Sequence, residues 1–246
     1  MESGMVFRQI FDRESSTYTY LLAERSGGEA LLIDPVLERV EQYLGLIEQL
    51  DLRLVLAVDT HIHADHITGL GALRERTDCV SAMGEQSHAE CVSLHFRDGD
   101  QLKVDSLSLE VMYTPGHTDD SYSFMLRPQA HAPRVFTGDT LLIRGTGRTD
   151  FQNGDAAAQY DSLFGHLLRL PEETLVYPAH DYNGMTVSTI GEERRFNPRL
   201  QVKGKAEYLA LMNGLKLDNP RLMDIAVPAN RACGLRPAPT IPRTSD

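Results

Sequence analysis

An α/β fold in a single domain is what this sequence predicts, on three observations. Strand and helix patterns alternate through the first half, strand patterns recur in the second, and four polar motifs each directly follow a strand. The chain opens with strand-like runs at 5–10, 17–23 and 30–33, broken by Asp12-Arg13, by the Gly27-Gly28 turn and by Asp34-Pro35, which reads as an antiparallel opening. Leu37, Val40, Leu44 and Ile47 then recur at helical spacing, and the near-continuous apolar run 52–58 predicts a strand buried on both faces. A helix is expected over 67–76. Leu107, Leu109, Val111 and Tyr113 alternate with Ser108, Glu110 and Met112 as in a half-buried strand, and 122–126 and 135–137 read as two more strands around a proline-containing loop. Asp155 caps a helix carrying Ala156, Tyr160, Leu163, Phe164 and Leu167, which Pro171 ends before a short strand at 174–177. Beyond Thr186 the pattern is mostly helical. With no internal repeat and no Gly- or Ser-rich linker, the expectation is one domain over 1–246, with about 185–246 as a short helical C-terminal extension.

Composition narrows the function classes. A chain of 246 residues with 41% hydrophobic and 24% charged residues is long enough to bury a substantial core, which excludes disorder and fibrous structure. The net charge of −11 argues against polyanionic partners, so neither a nucleic acid nor a membrane is expected. The first fourteen residues lack an apolar run of signal-peptide length, so the mature chain is expected to start near Met1. Cys79, Cys91 and Cys233 are odd in number and show no C-x-x-C pair, which argues against a disulfide framework and for a reducing, cytoplasmic setting.

The chemistry is concentrated in four segments. Thr60-His61-Ile62-His63-Ala64-Asp65-His66 puts three imidazoles and a carboxylate in one loop after the buried strand. Thr114-Pro115-Gly116-His117-Thr118, Phe136-Thr137-Gly138-Asp139-Thr140 and Tyr177-Pro178-Ala179-His180-Asp181 each add one ligand at the end of a further strand. Carboxyl ends of strands share an edge of an α/β sheet, so these groups can converge there, and nitrogen with carboxylate donors suits a divalent transition metal. Gly116 and Gly138 allow sharp turns beside the site. His88, His95, His131 and His166 lie outside the pattern and read as surface or hydrogen-bonded histidines.

The order H-x-H-x-D-H, G-H-T, G-D-T, A-H-D resembles the metal signature of the metallo-β-lactamase superfamily, which implies an αββα sandwich of two mixed sheets flanked by helices. Within it, the run from Gly138 through Leu142-Ile143-Arg144-Gly145-Thr146-Gly147-Arg148-Thr149-Asp150-Phe151-Gln152 resembles the persulfide dioxygenase (sulfur dioxygenase) family. So do Pro178-Ala179-His180-Asp181-Tyr182, Thr186-Val187-Ser188-Thr189, Glu192-Glu193-Arg194, Asn197-Pro198-Arg199-Leu200 and Ala226-Val227-Pro228-Ala229-Asn230. The resemblance covers nearly the whole chain. It implies that His61, His117 and Asp139 hold one iron(II) per chain, that His63, Asp65, His66 and His180 line the site as catalytic residues, and that the reaction oxidises glutathione persulfide with O2 to sulfite and glutathione. Thr146 departs from the family, where that position is often Cys. A homodimer and a functional link to a rhodanese-type sulfurtransferase are further implications.

Glutathione carries two carboxylates, so an acidic protein must receive it with local positive charge. Arg148 is the first candidate and Arg144 the second, because a guanidinium clamps a carboxylate bidentately. Arg148 reads equally as an ion pair with Asp150 or a clamp on its own loop. Tyr182 and Asn183 are candidates at the rim, whereas Tyr177 reads as core and the run Glu192, Arg194, Arg195 as a solvated helix face. The rival reading is a glyoxalase II-type hydrolase of glutathione thioesters, which uses all seven ligands for two metals and a larger C-terminal domain to grip glutathione. A scaffold with a structural metal, or a nucleic-acid-processing relative, fits seven polar residues around a cleft and an acidic surface less well.

Overall fold

The structure, a computed structural model, describes residues 4–129, 131–217 and 222–235. The expected start at Met1 and the end of the expected C-terminal extension, 236–246, lie outside them. Two six-stranded sheets form the centre. The first runs in chain order: β1 (Val6–Phe11), β2 (Tyr18–Ala23), β3 (Glu29–Ile33), β4 (Arg53–Val58), β5 (Val80–Gly84), β6 (Leu94–Phe96). Its first three strands are antiparallel and the rest parallel, as the opening pattern predicts. In the second sheet β7 (Gln101–Val104), β8 (Leu107–Tyr113), β9 (Tyr122–Leu126) and β10 (Arg134–Phe136) are antiparallel. There β11 (Leu175–Tyr177) pairs parallel to β10, and the two-residue β12 (Ser188–Thr189) closes the edge.

The period of two along each strand divides the side chains between layers. Tyr20, Leu22, Leu31 and Ile33 point between the sheets and meet Leu109, Val111, Phe124 and Phe136 from the second sheet. Leu21, Ala23, Ala30 and Leu32 point the other way, under α1 (Val40–Gln49) and α2 (Leu70–Thr77). On the far side, Met125, Val135 and Val176 pack against α3 (Ala156–Tyr160) and α5 (Lys205–Asn213), with Ile190 of α4 (Ile190–Phe196). The layers are helix, sheet, sheet, helix. Asp155 caps α3 as expected, accepting from the backbone N–H of Ala157 and Ala158.

Departures from expectation have local causes. The helix expected over 67–76 starts only at Leu70, because 67–69 pair with the chain after Pro35: Leu37 N donates to Ile67 O and Gly69 N to Pro35 O. Strands β5, β6, β7 and β12 were not foreseen; β5 is built of Ser, Ala and Gly around two apolar residues, and the others span four residues or fewer. Glu192, Arg194 and Arg195 are part-exposed to exposed, as read, while Glu193 between them is fully buried.

The cysteine reading is corrected. Cys91 and Cys233 form a disulfide across 142 residues. The cause is tertiary: α6 (Met223–Arg231) returns beside α2, where Gly71 N donates to Cys233 O at 3.0 Å, and sequence spacing carries no trace of such a contact. Cys79 is a buried free thiol. The argument for a reducing compartment rested on unpaired cysteines and loses that premise. No helix among the described residues is long and apolar enough to cross a membrane.

Candidate metal centre

The loop 60–66 leaves the end of β4 and is braced from four directions. The buried Asp34 carboxylate, at the end of β3, accepts from Thr60 N at 2.7 Å and from His63 Nε2 at 3.1 Å. Asp120 accepts from Ile62 N at 2.8 Å, and Gln152 Nε2 donates to Ile62 O at 2.8 Å. From α6, Asn230 Nδ2 donates to both His63 O (2.9 Å) and His66 O (2.8 Å), while its Oδ1 accepts from Thr68 N (2.8 Å). Burial pushes Asp34 up to about 6 against the pull of His61 and the Thr60 hydrogen bonds. Gly116 and Gly138, at φ of +138° and +51°, make the turns that carry His117 and Asp139.

One ligand atom each of His61, His117 and Asp139 lies within 4.8 Å of the others, and all three residues are buried. Hydrogen bonding decides which nitrogens are bare. His117 Nδ1–H donates to Arg148 O at 2.7 Å, leaving its Nε2 lone pair 3.6 Å from Asp139 Oδ2. Thr60 Oγ1 donates to Asp34 and therefore accepts from His61 Nδ1–H at 2.9 Å, which leaves His61 Nε2 for a metal. Burial, with the neighbouring His63 and His117, pushes His61 well below the ordinary histidine value, so the ring is held neutral as a ligand requires. Two imidazole nitrogens and one carboxylate oxygen so arranged fit a divalent first-row metal.

The other four expected site residues form a second group, also within 4.8 Å of one another. His180 bridges the two groups: Nδ1 donates to Asp139 Oδ1 at 2.7 Å and Nε2 to Asp65 Oδ2 at 2.9 Å. Burial alone would lower its pKa, but Asp139 and Asp65 hold it well above the usual value as an imidazolium. Reciprocally, burial would raise Asp139 and Asp65, yet His180 keeps both well below the usual carboxylate range, aided by His117 and His61 at Asp139 and by His66 at Asp65. His63 Nδ1 and His66 Nε2 are buried without a hydrogen-bond partner, the two atoms a second ion would use. The histidines set aside, His88, His95, His131 and His166, are all exposed.

A cavity of about 320 Å³ opens onto Asp139, His117 and His180. Arg148, Arg144, Tyr182 and Asn183, the candidates for substrate binding, all line it. Arg148 ion-pairs with both oxygens of Asp150, at 2.6 Å each, and lies over the Phe151 ring. Arg144 is bound by Glu192 and by the fully buried Glu193. Its charge is compensated, which makes it part of the wall rather than a free clamp. Tyr182 is exposed and stacks parallel to His180 at 6.2 Å, and Tyr177 is buried in the core as read. Sequence reasoning missed Asp34, noted only as a turn, and Asn230 and Arg199, noted only as landmarks. Arg199 also lines the cavity.

The profile of the Metallo-beta-lactamase superfamily matches residues 12–180. Persulfide dioxygenase ETHE1, mitochondrial, of Mus musculus is 47% identical over 96% of this chain and 91% of its own length. The Homo sapiens protein of the same name is 47% identical over 94% and 90%. The crystal structure of ETHE1 from Myxococcus xanthus superposes with a TM-score of 0.90 at 54% identity, over 94% of this chain and all of that one. The chain belongs to the metallo-β-lactamase superfamily and, within it, to the family of the ETHE1 persulfide dioxygenases.

Proposed function

We infer that this chain is a persulfide dioxygenase that oxidises glutathione persulfide with O2 to sulfite and glutathione, using one iron(II) held by His61, His117 and Asp139. The family membership just described supports the reaction. The observation that carries the reading is the likeness to ETHE1 persulfide dioxygenases over nearly the whole chain. Single-ion occupancy rests on that likeness and not on the side chains alone, since His63, Asp65, His66 and His180 form a second group that fits an ion as well.

Held by His61, His117 and Asp139, iron(II) would supply the electrons that let ground-state O2 react. The protein supplies orientation and electrostatics. His180 and Asp65 hold a proton and a fixed charge beside Asp139, and Phe151 packs edge-on to His117 at 5.8 Å, keeping bulk water from that ring. The cavity lined by Arg148, Arg199 and Tyr182, which opens onto Asp139 and His117, would receive the peptide part of glutathione. Homodimerisation and a rhodanese-type sulfurtransferase partner belong to the same proposal on the strength of family resemblance. Sedimentation of the purified chain, alone and with such an enzyme, tests both.

The deciding experiment is O2 uptake and sulfite release with glutathione persulfide on protein of measured metal content. His61→Ala, His117→Ala or Asp139→Ala is expected to lose both iron and activity. Two zinc ions per chain, with fast hydrolysis of S-lactoylglutathione and no O2 consumption, would overturn the reading.

A further inference from the structure

We propose that Arg199 is the anchor for a carboxylate of the substrate's peptide carrier, with the Thr146 hydroxyl holding its guanidinium at the cavity wall. The proposal rests on the reading of glutathione persulfide as substrate and names a contact which that reading leaves open. Three arginines line the cavity, and their partners separate them. Arg144 is neutralised by Glu192 and Glu193, and Arg148 by Asp150. Among the described residues no carboxylate pairs with Arg199. Its Nη1 donates to Thr146 O at 2.5 Å and to Thr146 Oγ1 at 3.1 Å. Its Nε and Nη2 have no protein acceptor among the described residues, and that edge of a guanidinium matches a carboxylate bidentately.

The position is built rather than incidental. Arg199 sits in the turn Pro198–Leu200, whose backbone is fixed by Asn197. Asn197 Oδ1 accepts from Arg199 N at 3.0 Å, and its Nδ2 donates to Gly145 O at 2.9 Å and to Glu193 Oε2 at 2.8 Å. The guanidinium is thus tied to the loop that carries Thr146, Gly147 and Arg148. Burial pushes the Arg199 pKa below the ordinary arginine range, as expected of a cation kept partly dry without an anion beside it. A half-buried cation with no carboxylate beside it among the described residues, in a chain of net charge −11, is costly unless an anionic ligand completes it. Thr146 has a specific part: its hydroxyl gives Nη1 a second acceptor and so turns Nε and Nη2 away from the loop.

The test uses full-length, iron-loaded protein and the unreactive analogue S-methylglutathione, by calorimetry. Two further ligands each lack one carboxylate: the glycine ethyl ester, and the analogue with γ-aminobutyrate in place of γ-glutamate. Arg199→Gln is expected to weaken S-methylglutathione by about 10- to 100-fold with metal content unchanged. One of the two truncated ligands should bind about as poorly to wild type and lose nothing further on Arg199→Gln. Arg199→Lys should recover part of the loss, and Thr146→Val should show a smaller loss of the same kind. In turnover, KM for glutathione persulfide should rise more than kcat falls. Additive losses for both truncated ligands, or unchanged affinity in Arg199→Gln, would overturn the anchor, as would loss of metal and melting temperature without loss of affinity. If wild type consumes O2 with glutathione persulfide and Arg199→Gln keeps its KM, only the anchor fails. If wild type neither oxidises that persulfide nor binds S-methylglutathione, the substrate assignment fails with it.

Discussion

Replacing Asn230 by Ala should loosen the metal loop from a position that contributes no ligand. The side chain is fully buried on α6 and makes three hydrogen bonds to the backbone of the loop and its exit, at His63 O, His66 O and Thr68 N. Three neutral hydrogen bonds at a net value of about 1 kcal/mol each set a floor of about 3 kcal/mol. The truncation also strands two carbonyls and one amide away from water, which carries the loss toward about 6 kcal/mol if no solvent enters. In a chain of this size about 3 kcal/mol corresponds to a fall in melting temperature of roughly 6–12 °C. The same bonds fix the loop at His63, His66 and Thr68, just beyond the ligand His61, so metal affinity should drop by about 10- to 100-fold, as when other orienting partners of ligands are lost. Thermal melts of the metal-free and loaded forms, with metal titration of each variant, measure both effects. Asn230→Asp sharpens the test, because it keeps the acceptor for Thr68 N but turns a carboxylate toward two carbonyl oxygens, and should be worse than Ala. Melting within a degree or two of wild type and unchanged metal affinity in Asn230→Ala would refute the claim that α6 holds the loop.

Arg144→Met should act on stability before it acts on substrate. It leaves Glu193 buried with its cation removed, at a cost of about 3 kcal/mol by chemical denaturation, and adding Glu193→Gln should recover most of that; a change confined to KM would restore Arg144 to the substrate. Asp12 accepts from Ser15 N, Ser15 Oγ and Arg39 Nε. Burial alone would raise its carboxyl, but the Ser15 hydrogen bonds and Arg39 hold it below the usual carboxylate range. Its folded pKa being the lower, the contribution is complete at neutral pH and disappears as pH falls through the folded value. Asp12→Ala should therefore cost about 1 kcal/mol at pH 7 after solvent screening at Arg39, and the gap from wild type should close on acidification below pH 4; a constant gap would rule out the linkage. Reduction of Cys91–Cys233, or Cys91→Ser, should lower stability by about 2–4 kcal/mol, read as a melting shift with and without a thiol reductant. No shift would mean that α6 is held without the bond.

The metal ligands were legible in the sequence because their chemistry demands rare residue types at strand ends, and the segments after β4 of the first sheet and after β8 and β10 of the second bring those residues together. The layering was legible only in part: alternation along β8 states which of its side chains face the core, whereas β2, β3 and β9 are buried on both faces and carry no such signal. What stayed hidden were contacts whose partners are chemically ordinary and distant. Asn230 and Asp34 are common residues in a helix and a turn, and only the return of α6 and the parallel pairing of β3 with β4 bring them against loop 60–66. The disulfide escaped for the same reason, for no local pattern reports that Cys233 comes back beside α2. The arginines make the point most directly. In the sequence Arg144, Arg148 and Arg199 are three equivalent cations, and proximity to the Asp139 motif favoured the first two. A cation's readiness to bind an anion depends instead on what already neutralises it. Glu192 and Glu193 lie nearly fifty residues from Arg144, Asp150 two from Arg148, and no such group faces Arg199 among the described residues. The residue ranked first by sequence distance is thus the less available one, and substrate charge recognition has to be sought by accounting for each cation's partner rather than by counting cations near the metal.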